Sequence, residues 1–454
     1  MGKYFGTDGF RGEAGVTLTA EQAYKVGRFL GAFSKSRREG RARIVIGKDT
    51  RRSSYMLEYA IAAGLTASGA DAYMLHVTTT PGVSFVTASD SFDFGVMISA
   101  SHNPFYDNGI KIVNHRGEKI DDDMIADIEA YIDGIADEIP FAIGADVGEI
   151  VDYYAGRNRY IGFLISLSRH SFKNYKVGID AANGGAWMIA KSVFDALGAK
   201  TSVINAEPNG LNINVDSGST HIEALVKHVK ENRLDLGFAF DGDADRCIAV
   251  NERGEVVNGD HILYILASSM RQSGELKNNT VVTTVMSNLG LYRAFEEAGI
   301  SYEQTAVGDR FVYENMQKNG HTLGGEQSGH IIISKYATTG DGIITAIKLM
   351  EAVIDSKTCL GALASPVKML PQITLNVKVK DKAASAKNEN VLSAVRFVEE
   401  KLGRHGRVVL RESGTEPIVR VMVEAECESI CRKYCEYVIN VIQGEEKIYE
   451  QQNL

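Results

Sequence analysis

One pattern recurs three times in this chain and restricts its fold more than any other feature. The stretches "ARIVIGKDTRRSSYMLEYAIAAGLTASGADAYML", "YKVGIDAANGGAWMIAKSVFDALGAKTSVI" and "NTVVTTVMSNLGLYRAFEEAGISYEQT" each read as strand, polar loop, helix, glycine, strand. An apolar run meets a loop rich in Gly, Asp, Asn or Ser. A helical segment follows and closes near Gly69, Gly198 or Gly299, where a helix stop belongs. Strands alternating with helices imply βαβ units and a largely parallel sheet. A spacing of roughly 100–130 residues is too coarse for a solenoid. The expectation is three tandem, similar α/β domains with mixed, mostly parallel sheets. In the first, "LTAEQAYKVGRFLGAF" opens a helix with Thr19 and Gln22 at capping-box spacing, and "DDDMIADIEAYIDGIADEIP" reads as an acidic amphipathic helix.

The end of the chain follows another rule. Ile373, Leu375, Val377 and Val379 alternate with polar residues in "QITLNVKVK", the signature of a strand buried on one face. The helical "NENVLSAVRFVEEKLG", the strands "RVVLRES" and "IVRVMVEAE", and a last helix complete an α+β domain with an antiparallel sheet. Pro366 and Pro371 mark the junction. Domains are expected at 1–155, 156–255, 256–368 and 369–454. Cys427, Cys431 and Cys435 lie on the last helix with an apolar stripe of Ile430, Tyr434, Val438 and Val441. Their spacing is wrong for zinc, and core packing is the expectation.

The net charge of -9 argues against an extended nucleic-acid surface. No apolar run approaches the roughly 18 residues that cross a bilayer, and "MGKYFGTDGFRG" lacks a secretory apolar region. The expected setting is cytoplasmic, without membrane or nucleic-acid partners, as a monomer or homodimer.

Five loops could do chemistry. "FAFDGDADRCIAV" sets Asp241, Asp243 and Asp245 at the end of an apolar run, where a hard divalent cation would relieve their repulsion. An EF-hand would need glycine at its sixth position, where Arg246 stands, and a helix where "CIAVNE" is strand-like. Three carboxylates leave coordination room for a phosphate oxygen, which suits Mg²⁺. "ESGTEPIVR", preceded by Arg411, gathers Ser413, Gly414, Thr415 and Arg420 around a glycine turn that could cradle phosphate or be a plain turn. "GGEQSGHII" offers Glu326, Gln327, Ser328 and His330 to sugar hydroxyls, or is a solvent loop. "YFGTDGFRG" flanks Arg11 with glycines. In "SASHNP", Ser101 stands beside His102. Neighbours on extended backbone point apart, so Ser101 reads as a phosphoryl carrier rather than half of a Ser–His dyad.

These loops, in this order, resemble those of the α-D-phosphohexomutase superfamily. "SASHNP" is similar to its phosphoserine loop, "DGDADR" to its metal loop, "GGEQSGH" to its sugar loop and "RESGTEP" to its phosphate loop. The likeness spans essentially the whole chain. It implies an isomerase that moves a phosphoryl group between the ends of a hexose, with Ser101 as phosphoserine and a sugar 1,6-bisphosphate as intermediate and activator. It implies one Mg²⁺ on Asp241, Asp243, Asp245 and a phosphate oxygen of Ser101. It implies Glu326 and Ser328 on sugar hydroxyls, and Arg411, Ser413, Gly414, Thr415 and Arg420 on the distal phosphate. Lys111 and His330 match positions with acid/base or transition-state roles; Arg11 and Arg246 match positions near the transferred phosphate, with His102 in support.

"GTDGFRG", "SHNPFYDNGIKI", "PNGLNINVDSGST" and "VGDRFV" resemble a branch acting on an amino-sugar phosphate, whose product feeds UDP-N-acetylglucosamine and cell-wall synthesis. Mannose and glucose phosphates are the rival substrates, a serine/metal phosphatase the rival enzyme, and a phosphosugar sensor the non-catalytic alternative. Two departures stand out: Ala244 where many relatives have glycine, and Glu412 beside the anion loop.

Overall fold

The computed structural model describes residues 2–6, 8–35, 40–412 and 417–452. The chain forms two compact units, Met1–Thr284 with Ser301–Ser365, and Val285–Ile300 with Pro366–Leu454.

The first unit contains three mixed sheets built on one four-strand plan. In the first sheet the core strands are β1 (Arg43–Lys48), β2 (Asp71–Val77), β3 (Phe94–Ile98) and β4 (Asp107–Asn114). In the second they are β5 (Lys176–Asp180), β6 (Lys200–Ile204), β7 (Leu236–Phe240) and β8 (Cys247–Asn251). In the third they are β9 (Thr280–Thr284), β10 (Ser301–Thr305), β11 (Leu323–Gly325) and β12 (Ile331–Ile333). The spatial orders are β2-β1-β3-β4, β6-β5-β7-β8 and β10-β9-β11-β12. In each set the first three strands are parallel and the fourth returns antiparallel to the third. Short strands extend two sheets: Phe5–Gly6, Gly9–Glu13 and Ile150–Asp152 in the first, and Val256–Val257 in the second. The thrice-read sequence pattern supplies the first, helical and second elements of each set.

The local rules hold where they were applied. Helix Ala20–Lys35 is preceded by a capping box in which Gln22 N–H donates to Thr19 Oγ1 and Thr19 N–H to Gln22 Oε1, at 3.3 and 2.8 Å. Gly69, Gly198 and Gly299 end their helices with φ of +85°, +93° and +65°, which glycine adopts without steric cost. Strands β3 and β7 are buried along their whole length, as strands sandwiched by helices must be.

The second unit holds an antiparallel sheet of β13 (Gln372–Lys378), β14 (Arg407–Glu412) and β15 (Ile418–Glu424), with β15 central. Helices Glu389–Leu402 and Glu428–Gln452 cover one face, and their apolar sides join Val377, Val419, Val421 and Val423 in one core. Cys431 and Cys435 are part of that core, whereas Cys427 is exposed. Core packing thus fits two of the three: Cys427 lies ahead of helix Glu428–Gln452, outside its buried stripe.

The helix of the third repeat, Leu289–Ala298, belongs to this second unit, although its flanking strands belong to the first. Glu424 on β15, fully buried, pairs with Arg407 and accepts the Leu289 N–H at 3.2 Å, so its carboxylate faces the helix's positive end. Asn288 caps the same helix and donates to the Leu370 carbonyl at 2.9 Å. The repeat pattern gives no sign of this placement, because the helix keeps its β–α–β position in the sequence.

Candidate active site

Three of the four chemistry-bearing loops of the first unit occupy one equivalent place. Residues 99–106 join β3 to β4, 241–246 join β7 to β8, and 326–330 join β11 to β12. Each is the turn where a parallel strand ends and the antiparallel strand begins. Open α/β sheets present ligand groups at such carboxyl ends.

Ser101 lies in the first of these turns with φ of +52°, a conformation disfavoured for a residue with a Cβ. Its carbonyl is held from two sides. Arg51 Nη2 donates to the carbonyls of Ser101 and Asn103 at 3.1 and 2.6 Å, and Asn214 Nδ2 donates to the same two at 2.8 and 3.1 Å. Arg51 is fully buried and ion-paired with Asp49, so the clamp has little freedom. Ser101 N–H donates to Ser99 Oγ at 2.9 Å. The result aims Ser101 Oγ at Asp241, to whose Oδ2 it donates at 2.6 Å.

The left-handed turn also corrects one expectation. On extended backbone Ser101 and His102 would diverge, but here His102 Nδ1 is 3.3 Å from Ser101 Oγ. Burial, reinforced by Arg246 and Arg11, lowers the His102 pKa to about 4, so the ring is neutral at pH 7.

Asp241, Asp243 and Asp245 are buried, and one carboxylate oxygen from each lies within 4.8 Å of the others. Asp243 Oδ1 and Asp245 Oδ1 are buried without a hydrogen-bond partner among the described residues. Orphaned hard-oxygen donors converging in this way fit a divalent cation. Glu252 lies outside the cluster and accepts Gly361 N–H instead, so no EF-hand is formed. Ala244 has φ of +55°, a strain of roughly 1–2 kcal/mol that the surrounding turn must offset. Burial and the neighbouring Asp245 and Asp243 push the Asp241 carboxyl well up. Asp245 goes the other way: burial opposes ionisation, but Lys111 and His330 outweigh it.

Lys111, on β4 beside Met97, reaches Asp243 Oδ2 at 2.7 Å and Asp245 Oδ2 at 3.1 Å. Burial would lower its pKa, yet Asp243, Asp245 and Asp8 raise it well above the ordinary value. His330 Nε2 is 3.3 Å from Asp309 and Nδ1 is 3.7 Å from Asp245. Burial works against protonation here too, and Gly340 N–H points at Nε2, but the carboxylates raise the ring to about 9. Arg11 pairs with Asp8, and Arg246 N–H donates to Asp241 Oδ1 at 3.2 Å. The Nε atoms of both arginines are buried without an acceptor among the described residues. Glu326 Oε1 accepts Gly308 N–H at 3.0 Å, and Ser328 lies beside its other oxygen at 3.5 Å.

The structure therefore brings Ser101, His102, Lys111, Asp241, Asp243, Asp245, Arg246, Arg11 and His330 into one charged network. Sequence reasoning missed Asp8, Lys119, Asp309, Thr80, Arg51 and Asn214. Lys119 bridges Asp8 and Asp309 at 3.2 and 2.7 Å, and Thr80 Oγ1 donates to Asp243. Asp8, Asp309 and Asn214 sit inside motifs already singled out, "YFGTDGFRG", "VGDRFV" and "PNGLNINVDSGST"; the signal was present without a geometry to read it.

In the second unit Arg411 and Arg420 are direct cross-strand partners on β14 and β15, two cations on one face. Like charges directly opposed on a sheet are unfavourable unless an acid or anion lies near them. Glu412 pairs with Val419 and is exposed. Ser413, Gly414 and Thr415 lie outside the described residues.

Models of the phosphoglucomutase/phosphomannomutase domains match in order: alpha/beta/alpha domain I at 2–138, domain II at 158–254, domain III at 258–369 and the C-terminal domain at 375–441. A phosphoglucosamine mutase of Lachnospira eligens is 61% identical over 98% of this chain and 99% of its own. One of Lachnoclostridium phytofermentans is 58% identical over 98% of each. The crystal structure of a phosphoglucomutase/phosphomannomutase family protein from Burkholderia thailandensis superposes with a TM-score of 0.79 at 22% identity, covering 98% of both chains. No helix among the described residues is long and apolar enough to cross a membrane.

Proposed function

This chain belongs to the phosphoglucomutase/phosphomannomutase family, and from that premise we propose that it interconverts glucosamine 6-phosphate and glucosamine 1-phosphate. The observation that carries the chemistry is the aim of Ser101 Oγ at Asp241, 2.6 Å away, from a turn clamped on both sides. Ser101, phosphorylated, gives its phosphoryl group to the free sugar hydroxyl, and the sugar becomes a 1,6-bisphosphate. The intermediate reorients and returns its other phosphoryl group to Ser101 Oγ. A sugar 1,6-bisphosphate primes unphosphorylated enzyme by the same return step.

Asp241, Asp243 and Asp245 would hold Mg²⁺, which supplies charge neutralisation at the transferred phosphoryl group. Arg11 and Arg246 add guanidiniums whose buried Nε donors await an acceptor. Lys111, 2.7 Å from Asp243, and His330, 3.3 Å from Asp309, serve there as acid/base or charge-stabilising groups at the transferred phosphoryl group. The proton that the sugar hydroxyl gives up is the one that Ser101 Oγ gains as its phosphoryl group leaves, and the return step reverses this; His102 Nδ1, 3.3 Å from Ser101 Oγ, is placed to relay it. Glu326 and Ser328 hold sugar hydroxyls. Arg411, Ser413, Gly414, Thr415 and Arg420 hold the phosphate that is not reacting.

The amino-sugar assignment rests on relatives at 61% and 58% identity that carry that name. The test combines Ser101→Ala with kcat/KM for glucosamine, glucose and mannose phosphates. Loss of turnover in the variant and preference for glucosamine in the parent are expected. Near-normal turnover of Ser101→Ala would end the phosphoserine mechanism, and a preference for glucose or mannose would end the substrate assignment.

A further inference from the structure

A cavity of about 500 Å³ lies in the first unit, and its lining includes neither Ser101 nor Asp241, Asp243 or Asp245. Thr50, Arg52 and residues 76–77, 187–188 and 208–210 contribute to its wall, together with Tyr55 and Arg157. Its volume lies within the roughly 300–1,000 Å³ of small-molecule sites. Among the described residues no carboxylate lines it, although the chain carries 58 acidic residues against 49 basic ones.

Two guanidiniums reach this cavity, and neither forms an ion pair among the described residues. Arg52 is held only through its backbone N–H, which donates to the Gly210 carbonyl at 3.0 Å. Arg157 makes one 3.5 Å contact with the Val77 carbonyl and lies over the Tyr154 ring at 5.6 Å. Asp152 is engaged by His76 at 2.9 Å, and Asp49 by Arg51. In an acidic protein, two unneutralised guanidiniums facing one cavity make a local anion-attracting field. The remaining wall is aromatic. Trp187, the sole tryptophan of the chain, is half-buried there, and Tyr55 is 48% exposed. Tryptophan and tyrosine left partly open beside cations suit a planar ring, whereas a bare phosphate or sulfate would leave them unused.

We propose that this cavity binds a nucleoside phosphate, with Arg52 and Arg157 on the phosphate and the Trp187 and Tyr55 rings against the base. A sugar phosphate satisfies only the cations, and a neutral nucleoside only the rings; a nucleoside phosphate uses both halves of the wall. The cavity shares no lining residue with the phosphoryl-transfer centre, and the proposal does not depend on the substrate assigned above.

Trp187 supplies the readout. Titration of the full-length protein with 5′-AMP, excited selectively at tryptophan, should give a saturable change in emission, and isothermal titration calorimetry should return the same affinity. Adenosine and ribose 5-phosphate should each bind at least ten-fold more weakly than 5′-AMP. The double variant Arg52→Ala/Arg157→Ala should lose at least ten-fold in affinity, since charge-assisted contacts to phosphate are among the stronger hydrogen bonds. Saturating glucose 1,6-bisphosphate should leave 5′-AMP binding in place. Absence of saturation by either method up to about 10 mM, affinities far below the range of specific ligands, would overturn the proposal. So would displacement of 5′-AMP by the bisphosphate, equal binding of ribose 5-phosphate, or an unchanged affinity in the double variant.

Discussion

Asn214 offers the sharpest test of how Ser101 is positioned. Its amide nitrogen donates to the Ser101 and Asn103 carbonyls at 2.8 and 3.1 Å, and its own backbone sits at φ +58°. Asn214→Gly removes both hydrogen bonds and leaves the left-handed backbone unstrained. Arg51 still donates to both carbonyls, so neither is orphaned. The loss is then the net value of two hydrogen bonds, roughly 1–3 kcal/mol in all. Asn214→Ala loses the same bonds and adds left-handed strain of roughly 1–2 kcal/mol, offset by the roughly 0.4–1 kcal/mol that alanine saves over glycine in the unfolded chain. The alanine variant should therefore be less stable than the glycine variant by up to about 1.6 kcal/mol. Urea unfolding of the two variants and the parent reads this order directly. In steady-state kinetics both should lose about 10- to 100-fold in kcat with KM within about two-fold, because the sugar is bound elsewhere and the nucleophile is displaced by a fraction of an ångström. A glycine variant with parental stability and parental kcat would refute the two-sided clamp. A glycine variant less stable than the alanine one would refute the backbone part alone.

A Cβ at Gly242 would stand 2.5 Å from the Ser101 carbonyl and 2.8 Å from Ile213 Cδ1, so Gly242→Ala should push the serine loop away from the aspartates. At least a ten-fold fall in kcat, with a cooperative unfolding transition retained, is the expected result. Asp341 is buried, accepts the Tyr160 hydroxyl at 2.7 Å and caps helix Gly342–Ser356; burial raises its pKa to about 6. Because that value lies above the unfolded one, its contribution to stability is complete below about pH 4 and is lost as pH rises through 6, up to about 3 kcal/mol. Urea unfolding at pH 4, 6 and 8 should show this decline in the parent and a flatter profile in Asp341→Asn, which keeps the cap without the charge.

Much of the fold was legible because its signals are local. A fully apolar strand, a capping residue and a glycine stop act within a few residues, and they marked the three β–α–β units and the alternating strands of the C-terminal sheet. The placement of helix Leu289–Ala298 was not legible, because a buried glutamate more than a hundred residues away decides it. Glu424 reads in sequence as the polar end of a strand; only the fold brings its carboxylate to Leu289 N–H. Cys427 shows the same limit at smaller scale. Three cysteines four apart suggest one stripe, but the first falls before the helix begins.

The site was legible as residue types and not as geometry, and the Ser101 turn shows why. The argument that His102 must point away assumed extended backbone. What makes the turn left-handed is a pair of side chains, Arg51 and Asn214, lying 50 residues before and 113 residues after Ser101. Neither has a spacing rule that links it to "SASHNP". The three loops meet for a reason that is itself structural: each occupies the β3–β4 place in its own repeat, so stacking three copies of one topology presents three equivalent turns to one another. Repetition of the β–α–β unit was visible in sequence, and so were the loops. That the loops are the same loop three times becomes visible only once the fourth, antiparallel strand of each sheet is seen, and those strands share no sequence pattern beyond being apolar.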